Sequence, residues 1–244
     1  MESPDSATES APLGDEDSLV SLAAEIANCR QCDRLVEWRE HVALEKRAAF
    51  RDEDYWGMGV PGFGDPAAKV MIVGLAPAAH GANRTGRVFT GDRSGDFLFA
   101  SLHRTGFANQ SFARHVGDGL QLTDAYVTAA VRCAPPGNKP TTEERDNCRP
   151  FIERELDLLR KVRVFVSLGQ FGYQVTCSIL GVRPRPKFGH GVVVPLSEHG
   201  RERTGNIVCS FHPSQQNTFT GRLTEPMLDQ VFLTARELAE LEPA

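Results

Sequence analysis

The chain alternates between short runs of apolar residues and longer stretches in which apolar residues have helical spacing. Four apolar runs predict buried strands, at residues 70–75, 125–131, 162–168 and 207–211. Helical spacing predicts helices near residues 95–105, 142–160, 170–180 and 225–241. Strands that alternate with helices indicate an α/β fold, a single-domain αβα sandwich around a central, mostly parallel four-stranded sheet. Residues 189–196 are a candidate edge strand.

The N-terminal part of the chain differs from this central pattern. Residues 1–17 are rich in Ser, Asp, Glu and Pro, which predicts a disordered acidic tail. Residues 18–244 are expected to form one folded domain that begins with a short helix over 19–26 and a polar helical stretch over 33–54. A loop rich in Gly and Pro, residues 57–66, leads into the first strand.

Charge is distributed unevenly along the 244 residues. The net charge is -5 at pH 7. Residues 1–20 hold six acids and no base, and residues 223–244 hold five acids and one base, which leaves 26 basic and 21 acidic residues between them. A weakly basic body between acidic ends is compatible with a nucleic-acid partner.

Composition favours a soluble globular protein, with 41% hydrophobic and 24% charged residues. No window approaches the roughly 18 uninterrupted apolar residues of a membrane helix, and the acidic N-terminus is unlike a secretory signal peptide. We therefore expect a cytoplasmic protein without a membrane partner. We also expect it to be a monomer. In that compartment the six cysteines are expected to be thiols or metal ligands rather than disulfides.

Four cysteines have a spacing that can close a tetrahedral site of four sulfurs. Cys29 and Cys32 form a C-x-x-C pair, Cys133 follows the second predicted strand, and Cys148 lies in the helix after it. Such a site suits zinc or an iron–sulfur cluster. The alternative is four unrelated buried thiols, because only one of the two pairs has tight ligand spacing. The other two cysteines lie in apolar contexts and are expected in the core: Cys177 and Cys209.

Two further segments follow predicted strands, at the sheet edge where the sites of such folds gather. Residues 74–92 form a long loop of small, polar and basic residues without a Walker or G-x-G-x-x-G pattern, which disfavours a nucleotide cofactor. The second segment, residues 211–218, contains His212, Pro213 and Ser214. Taken alone, the first segment also fits an ordinary surface loop, and the second a structural histidine.

Together these segments resemble the uracil-DNA glycosylase superfamily, and most closely its family 5, the iron–sulfur type of bacteria and archaea. Residues 74–92 match that family's first motif nearly throughout, residues 61–66 precede it as in the family, and His212 opens the second motif. The similarity covers about residues 20–235. It implies a [4Fe-4S] cluster on the four spaced cysteines, structural and near the DNA-binding surface, in a cytoplasmic, nucleoid-associated enzyme.

The sequence departs from the wider superfamily at two positions. The best-known members place an Asp or Asn at the end of the first motif's strand to activate water, where this chain has Ala76. Family 4 members place an Asn in the second strand to bind uracil, where this chain has Ala129. Both departures are typical of family 5, so the common mechanism does not transfer directly.

The resemblance implies a nucleotide that is flipped into a pocket, and a uracil ring that leaves with negative charge. His212 is the expected donor to a uracil carbonyl, Asp92 the carboxylate that orients water or faces the sugar cation, and Asn138 the substitute for the missing strand Asn. The expected base contacts are Gly74, Ala76, Asn83, Arg87 and the stacking ring Phe89. The expected DNA contacts are Arg84, Lys139, Gln215, Gln216, Asn217 and Arg222.

The function inferred is that of a monofunctional DNA glycosylase of base-excision repair, which excises uracil and leaves an abasic site. Hypoxanthine and other deaminated bases remain open as further substrates. One alternative is a non-catalytic iron–sulfur protein that binds nucleic acids, for which Ala76 and Ala129 would mark lost catalysis. Another is a zinc-bound nucleotide-processing hydrolase. At single positions, Phe89 also fits the core, and Asp92 and Asn138 also fit plain turns.

Overall fold

One mixed sheet forms the centre of the protein in the computed structural model, which describes residues 17–199 and 204–242. Within those residues the sheet has six strands in the order β1-β3-β2-β4-β6-β5. They are β1 (Phe63–Gly64), β2 (Val70–Gly74), β3 (Ala125–Ala129), β4 (Val164–Leu168), β5 (Val193–Pro195) and β6 (Asn206–Ser210). The four predicted strands form the parallel centre, and β1 and β5 pair antiparallel at the edges.

The predicted strand number of four is therefore wrong, although the mostly parallel sheet is confirmed. The sheet is larger by its two edge strands. β5 falls inside the candidate edge segment 189–196, whereas β1 has only two residues and is too short to produce a pattern of its own.

Helices cover both faces of the sheet. Among the described residues they are α1 (Leu19–Asn28), α2 (Asp33–Glu45), α3 (Ala82–Thr85), α4 (Arg93–Arg104), α5 (Thr142–Leu158), α6 (Gly169–Ile179), α7 (Gln215–Phe219) and α8 (Glu225–Leu238). α4 and α8 pack on one face, and α5 and α6 pack on the other, which confirms the αβα sandwich. None of these helices is long and apolar enough to cross a membrane.

The parallel strands are covered on both faces, which explains their uninterrupted apolar sequences. Every residue of β2, β3 and β4 is buried. Successive side chains point to opposite layers: Ile72 joins the layer under α4 and α8, and Met71 joins the layer under α5 and α6. The thiols of Cys177 and Cys209 lie in the second of these layers, as expected for core residues.

The start of the described chain is fixed against α5. Ser18 caps α1 through a capping box with Ser21. Asp17 and Glu25 both form ion pairs with Arg154 of α5. The predicted disordered tail, residues 1–17, lies outside the described residues except for Asp17, so that prediction stays open.

A buried ion pair fixes the chain that leaves β3. Arg132 and Glu155 each have 1% of the side chain exposed and meet at 2.7 Å. Glu155 also accepts a 2.7 Å hydrogen bond from the hydroxyl of Thr128 and a 3.3 Å bond from the backbone N–H of Gly62. Breaking such a pair from one side leaves an uncompensated buried charge, which is costly. The network therefore holds the Gly/Pro loop, β3 and α5 as one unit.

Candidate active site

A cavity of about 310 Å³ opens at the carboxyl edge of the parallel strands, where ligands of open α/β sheets bind. Residues at the end of β4 or in the segments that follow β2, β3, β4 and β6 form its walls. They are Leu75, Ala76, Ala78, Val88, Phe89, Asp92, Ser94, Asn138, Leu168, Gly169, Gln170, Phe171, His212 and Ser214. The volume is at the low end of the roughly 300–1,000 Å³ of small-molecule sites, so the cavity suits one small ring system.

Phe89 presents an aromatic ring to this cavity from a strained backbone. Its φ is +53°, a left-handed conformation that costs a non-glycine residue about 1–3 kcal/mol. The ring lies against Gly74, where a Cβ atom would come within 2.7 Å of it. Gly74 therefore has to be a glycine for Phe89 to occupy this position, although Gly74 does not itself line the cavity. Strain concentrated at a cavity wall is typical of functional sites.

His212 forms the opposite part of the wall, two residues after β6. Its ring centroid is 5.9 Å from that of Phe89. Burial lowers the pKa of His212 to about 4, so the imidazole is neutral at pH 7. Within residues 17–199 and 204–242, neither ring nitrogen has a hydrogen-bond partner, whereas the backbone carbonyl accepts a 2.9 Å bond from the Asn217 amide. The side chain is thus free to donate or accept one hydrogen bond inside the cavity.

Asp92 closes the cavity at the start of α4. As the N-cap of that helix, it accepts a 3.0 Å hydrogen bond from the backbone N–H of Gly95. Burial raises the pKa of Asp92 despite hydrogen bonds from the N–H groups of Gly95 and Ser94. The other carboxylate oxygen lies so close to Gly81 that a Cβ atom there would be 2.1 Å from it. Gly81 thus leaves room for the carboxylate in this orientation.

The rim of the cavity continues into a wider groove of about 680 Å³. Asp92 and Asn138 line both. Asn138 is exposed, with a φ of +57° in the turn after β3, and its side chain has no hydrogen-bond partner among the described residues. The groove adds the cations Arg47 and Arg93. An open, partly cationic approach to a small cavity suits a polymer that delivers one group into it.

Three predicted residues of the 74–92 segment point away from this cavity. Asn83 is fully buried and donates to the backbone carbonyl of Arg39 at 3.1 Å. Arg84 is buried in an ion pair with Glu53. Arg87 is likewise buried and paired, with Asp118 at 2.7 Å. The polar groups of these three residues are occupied inside the fold. The arrangement therefore does not support the expected contacts of Asn83 and Arg87 with the base and of Arg84 with DNA, which stay predictions.

Of the remaining predicted DNA contacts, Gln215 lines the wider groove, and Asn217 is half-buried with its amide bonded to the backbone of His212. Lys139, Gln215, Gln216 and Arg222 are exposed. Arg222 lies over the Phe211 ring, 4.6 Å from its centroid. These residues are accessible to a large ligand.

Sequence reasoning missed the part of the wall that β4 and the residues after it form, including the side chains of Gln170 and Phe171. The signal that was available is topological. β4 lies between β2 and β6 in the sheet, so the residues just after it must share the edge to which the other two strands lead.

The four spaced cysteines meet at a second, small cavity between the first two helices, the chain after β3 and α5. The cavity is lined by Cys29, Cys32, Cys133 and Cys148, together with Leu35, Val36, Arg132, Asn147 and Gln31. Within the described residues, no three Cys, His, Asp or Glu side chains are arranged to hold one metal ion. The four cysteines line one common space, and four cysteine sulfurs are a ligand set that both zinc and iron–sulfur clusters take.

Nitrogen donors already face two of these sulfurs. Arg39, 1% exposed, donates from Nη1 to Cys133 Sγ at 2.9 Å, and Asn147 donates from Nδ2 to Cys32 Sγ at 3.5 Å. Burial raises the pKa of Cys133, and the charge of Arg39 opposes this. Burial also raises the pKa of Cys148 to about 12. Donors aimed at sulfur fit ligating thiolates, whose second shell is usually built in this way.

Comparison with known proteins identifies the family. Residues 61–236 match the model of the uracil DNA glycosylase superfamily. The type-5 uracil-DNA glycosylase of Mycobacterium tuberculosis (strain CDC 1551 / Oshkosh) is 50% identical over 232 residues, 94% of this chain and 85% of that protein. The corresponding protein of Thermus thermophilus is 50% identical over 214 residues, 87% and 94% of the two chains. A type-4 uracil-DNA glycosylase of Archaeoglobus fulgidus is 31% identical over 203 residues, 81% of this chain and 82% of its own. The chain therefore belongs to the uracil-DNA glycosylase superfamily, and within it to the type-5 branch.

Proposed function

We propose that this protein is a monofunctional DNA glycosylase that excises uracil from DNA and leaves an abasic site. The observation that carries the proposal is the 310 Å³ cavity, in which Phe89, His212 and Asp92 line one base-sized space. The names of the type-5 relatives support uracil as the base. Since the target bond is hidden in the duplex, the nucleotide must be flipped out to reach this cavity, and the adjoining groove gives it an open approach.

In this proposal His212 stabilises the leaving base. As the C–N bond breaks, negative charge develops on the uracil ring. A hydrogen bond from an N–H donor to a ring carbonyl becomes stronger as this charge grows. Neutral imidazole suffices for this role, and burial keeps His212 neutral at pH 7. Phe89 stacks on the flipped ring and holds it within reach of that donor.

Asp92 acts on the sugar side in this proposal. Ala76 supplies no carboxylate to the cavity, so within the described part of the chain Asp92 is the one acid among the lining residues. Its raised pKa makes it a better proton acceptor than an ordinary carboxylate. It therefore orients the attacking water or faces the developing sugar cation. Asn138, with its amide unpartnered at the rim, is placed to contact the base edge.

A panel of labelled oligonucleotides tests the proposal. Each carries one uracil, hypoxanthine or normal base, in single strands and in duplexes, and alkali-labile sites are counted after incubation with the protein. Uracil is expected to be released, and the normal bases are expected to be retained. The non-catalytic alternative predicts binding of these strands with no labile sites in any of them.

The cysteine cavity holds a [4Fe-4S] cluster in this proposal, with Cys29, Cys32, Cys133 and Cys148 as ligands. The four sulfurs line one space, and each thiolate of a cubane binds a different iron, so the ligands of a cluster are spread more widely than those of a single zinc ion. When bound, the cluster supplies a structural cross-link between α1, α2 and α5. Arg39 and Asn147 donate to its ligands.

Protein purified without oxygen is expected to be brown, with broad visible absorbance and iron and sulfide in equal amounts. Cys148→Ala should abolish the absorbance, because a cubane needs four protein ligands. Cys177→Ala and Cys209→Ala are the matched controls and should retain it, since both thiols lie in the core away from the cavity. Stoichiometric zinc without iron would contradict the cluster.

The reaction is expected to stop at the abasic site. A glycosylase that also cuts the strand typically forms a Schiff base through an amine, and among the described residues no lysine lines the cavity. Borohydride added during turnover should therefore trap no covalent adduct between protein and DNA. A trapped adduct would show that an amine outside the described cavity, such as that of Lys139, attacks the sugar.

A further inference from the structure

A third cavity, of about 250 Å³, lies between α5 and α6 and has cationic walls. Three arginines, Arg145, Arg183 and Arg185, line it with the polar residues Gln174 and Ser178, and none of the lining residues that the structure describes is acidic. The groove beside the active site, by contrast, mixes arginines with Asp92 and Asp96. Walls with several guanidinium groups and no carboxylate favour an anionic ligand.

The charges of this cavity are largely uncompensated. Arg183 and Arg185 are exposed and form no ion pair within residues 17–199 and 204–242. Arg145 contacts its neighbour Asp146 through Nε and Nη2, at 2.9 and 2.8 Å, which leaves Nη1 open. Arg185 lines this cavity together with Cys177, whose thiol is buried.

Helix α6 connects this cavity with the active site. Gln170 lines the active-site cavity, and Gln174 and Ser178 line the arginine cavity. Residues four apart lie on the same helix face, and each step advances by about 6 Å at 1.5 Å per residue. A DNA strand advances 3.4 Å per nucleotide along the helix axis. Gln174 and Ser178 therefore lie about 6 and 12 Å along α6 from Gln170, a span that corresponds to about two to four nucleotides.

We propose that the arginine cavity binds a phosphodiester of the DNA strand that continues past the flipped nucleotide. The inference rests on the proposed glycosylase function, because the flipped base fixes the register of the strand. The contact is independent of base sequence, since only a phosphate reaches the arginines. A free phosphate ion has the same chemistry and is the other source that the experiment has to separate.

The test compares Arg183→Gln/Arg185→Gln with wild type in binding to a duplex that carries one abasic-site analogue. Affinity is expected to fall about 3- to 10-fold, and the slope of log K against log salt by about one, as for one lost phosphate contact. The charge-preserving variant Arg183→Lys/Arg185→Lys should retain most of the wild-type dependence of log K on log salt. The matched control is Arg160→Gln/Lys161→Gln, which removes two exposed charges just before β4, at the opposite edge of the sheet, and should bind like wild type.

Shortened duplexes locate the contact. If the duplex is shortened one nucleotide at a time towards the analogue, the difference in affinity between wild type and Arg183→Gln/Arg185→Gln should vanish once fewer than about two to four flanking nucleotides remain on one side. Equal affinities and salt slopes for this variant and the control would overturn the inference. Loss of inorganic phosphate binding in the variant with unchanged DNA binding would assign the cavity to a free anion and also overturn it.

Failure of the proposed function would look different. In that case wild-type protein would release no uracil from any oligonucleotide, whatever the salt slopes show. If uracil is released and the salt slopes of variant and control are equal, the phosphate contact alone is wrong.

Discussion

Replacing His212 by alanine is expected to slow uracil release by roughly 100- to 1,000-fold, the usual cost of removing one well-aimed donor to a developing anion. Single-turnover assays at saturating enzyme isolate this chemical step from binding and product release. The effect is expected to be large because Ala76 leaves the cavity without a carboxylate at the usual superfamily position, so stabilisation of the leaving base has to supply more of the rate. The pKa of about 4 adds a second expectation. Since the imidazole is already neutral, no rate change at pH 5–8 should come from His212.

His190→Ala is the matched control for this substitution. Burial lowers the pKa of His190 as well, but the ring stacks on Phe211 outside the active-site cavity, so this variant should keep most of the rate. If His212→Ala binds DNA and retains near-wild-type single-turnover rates, the assignment of the anion donor is wrong. The donor would then have to be another cavity side chain, such as Gln170 or Asn138.

Replacing Asp92 by asparagine is expected to slow uracil release on the order of 100-fold, the low end of what a positioned acid–base group contributes, and less than His212→Ala. Asparagine caps helices as well as aspartate does, so the start of α4 should be retained. Burial raises the pKa of Asp92, so ionising it costs the folded state free energy as pH rises above the ordinary carboxyl value. The variant should therefore be at least as stable as wild type at pH 7, with the difference lost in acid.

The pH dependence of the rate identifies the Asp92 carboxylate. The proposal needs the ionised form, so the wild-type rate should fall as pH decreases through the raised pKa of Asp92. This acid limb should be absent in Asp92→Asn. An unchanged acid limb in the variant would assign it to another group. Gly81→Ala is a second probe, because its methyl group would displace the carboxylate without removing it, and should also lower the rate.

The parallel centre of the fold could be predicted because buried parallel strands are uninterrupted apolar runs. The start of α5 was also predictable, since the sequence from Thr141 to Glu144 forms a capping box. β1 could not be predicted. It has only two residues, Phe63 and Gly64. They pair with Val127 and Tyr126 of β3, which lie more than 60 residues further along the chain.

The candidate site also has a part that could be predicted from the sequence and a part that could not. Phe89, Asp92, Asn138 and His212 could be predicted to meet because each follows a strand that ends at one edge of the sheet. Arg84, in the same motif, turns inward to Glu53, 31 residues before it. No local sequence pattern predicts such a long-range partner.

The central claim, excision of uracil from DNA, is tested most directly by measuring two products in one single-turnover reaction. Wild-type protein, purified without oxygen, is incubated with an oligonucleotide that carries one uracil, and free uracil and alkali-labile abasic sites are both counted. The account predicts equal amounts of the two products, no strand break before alkali, and a rate that falls roughly 100- to 1,000-fold in His212→Ala. Tight binding of the oligonucleotide by the wild-type protein with neither product formed would contradict it.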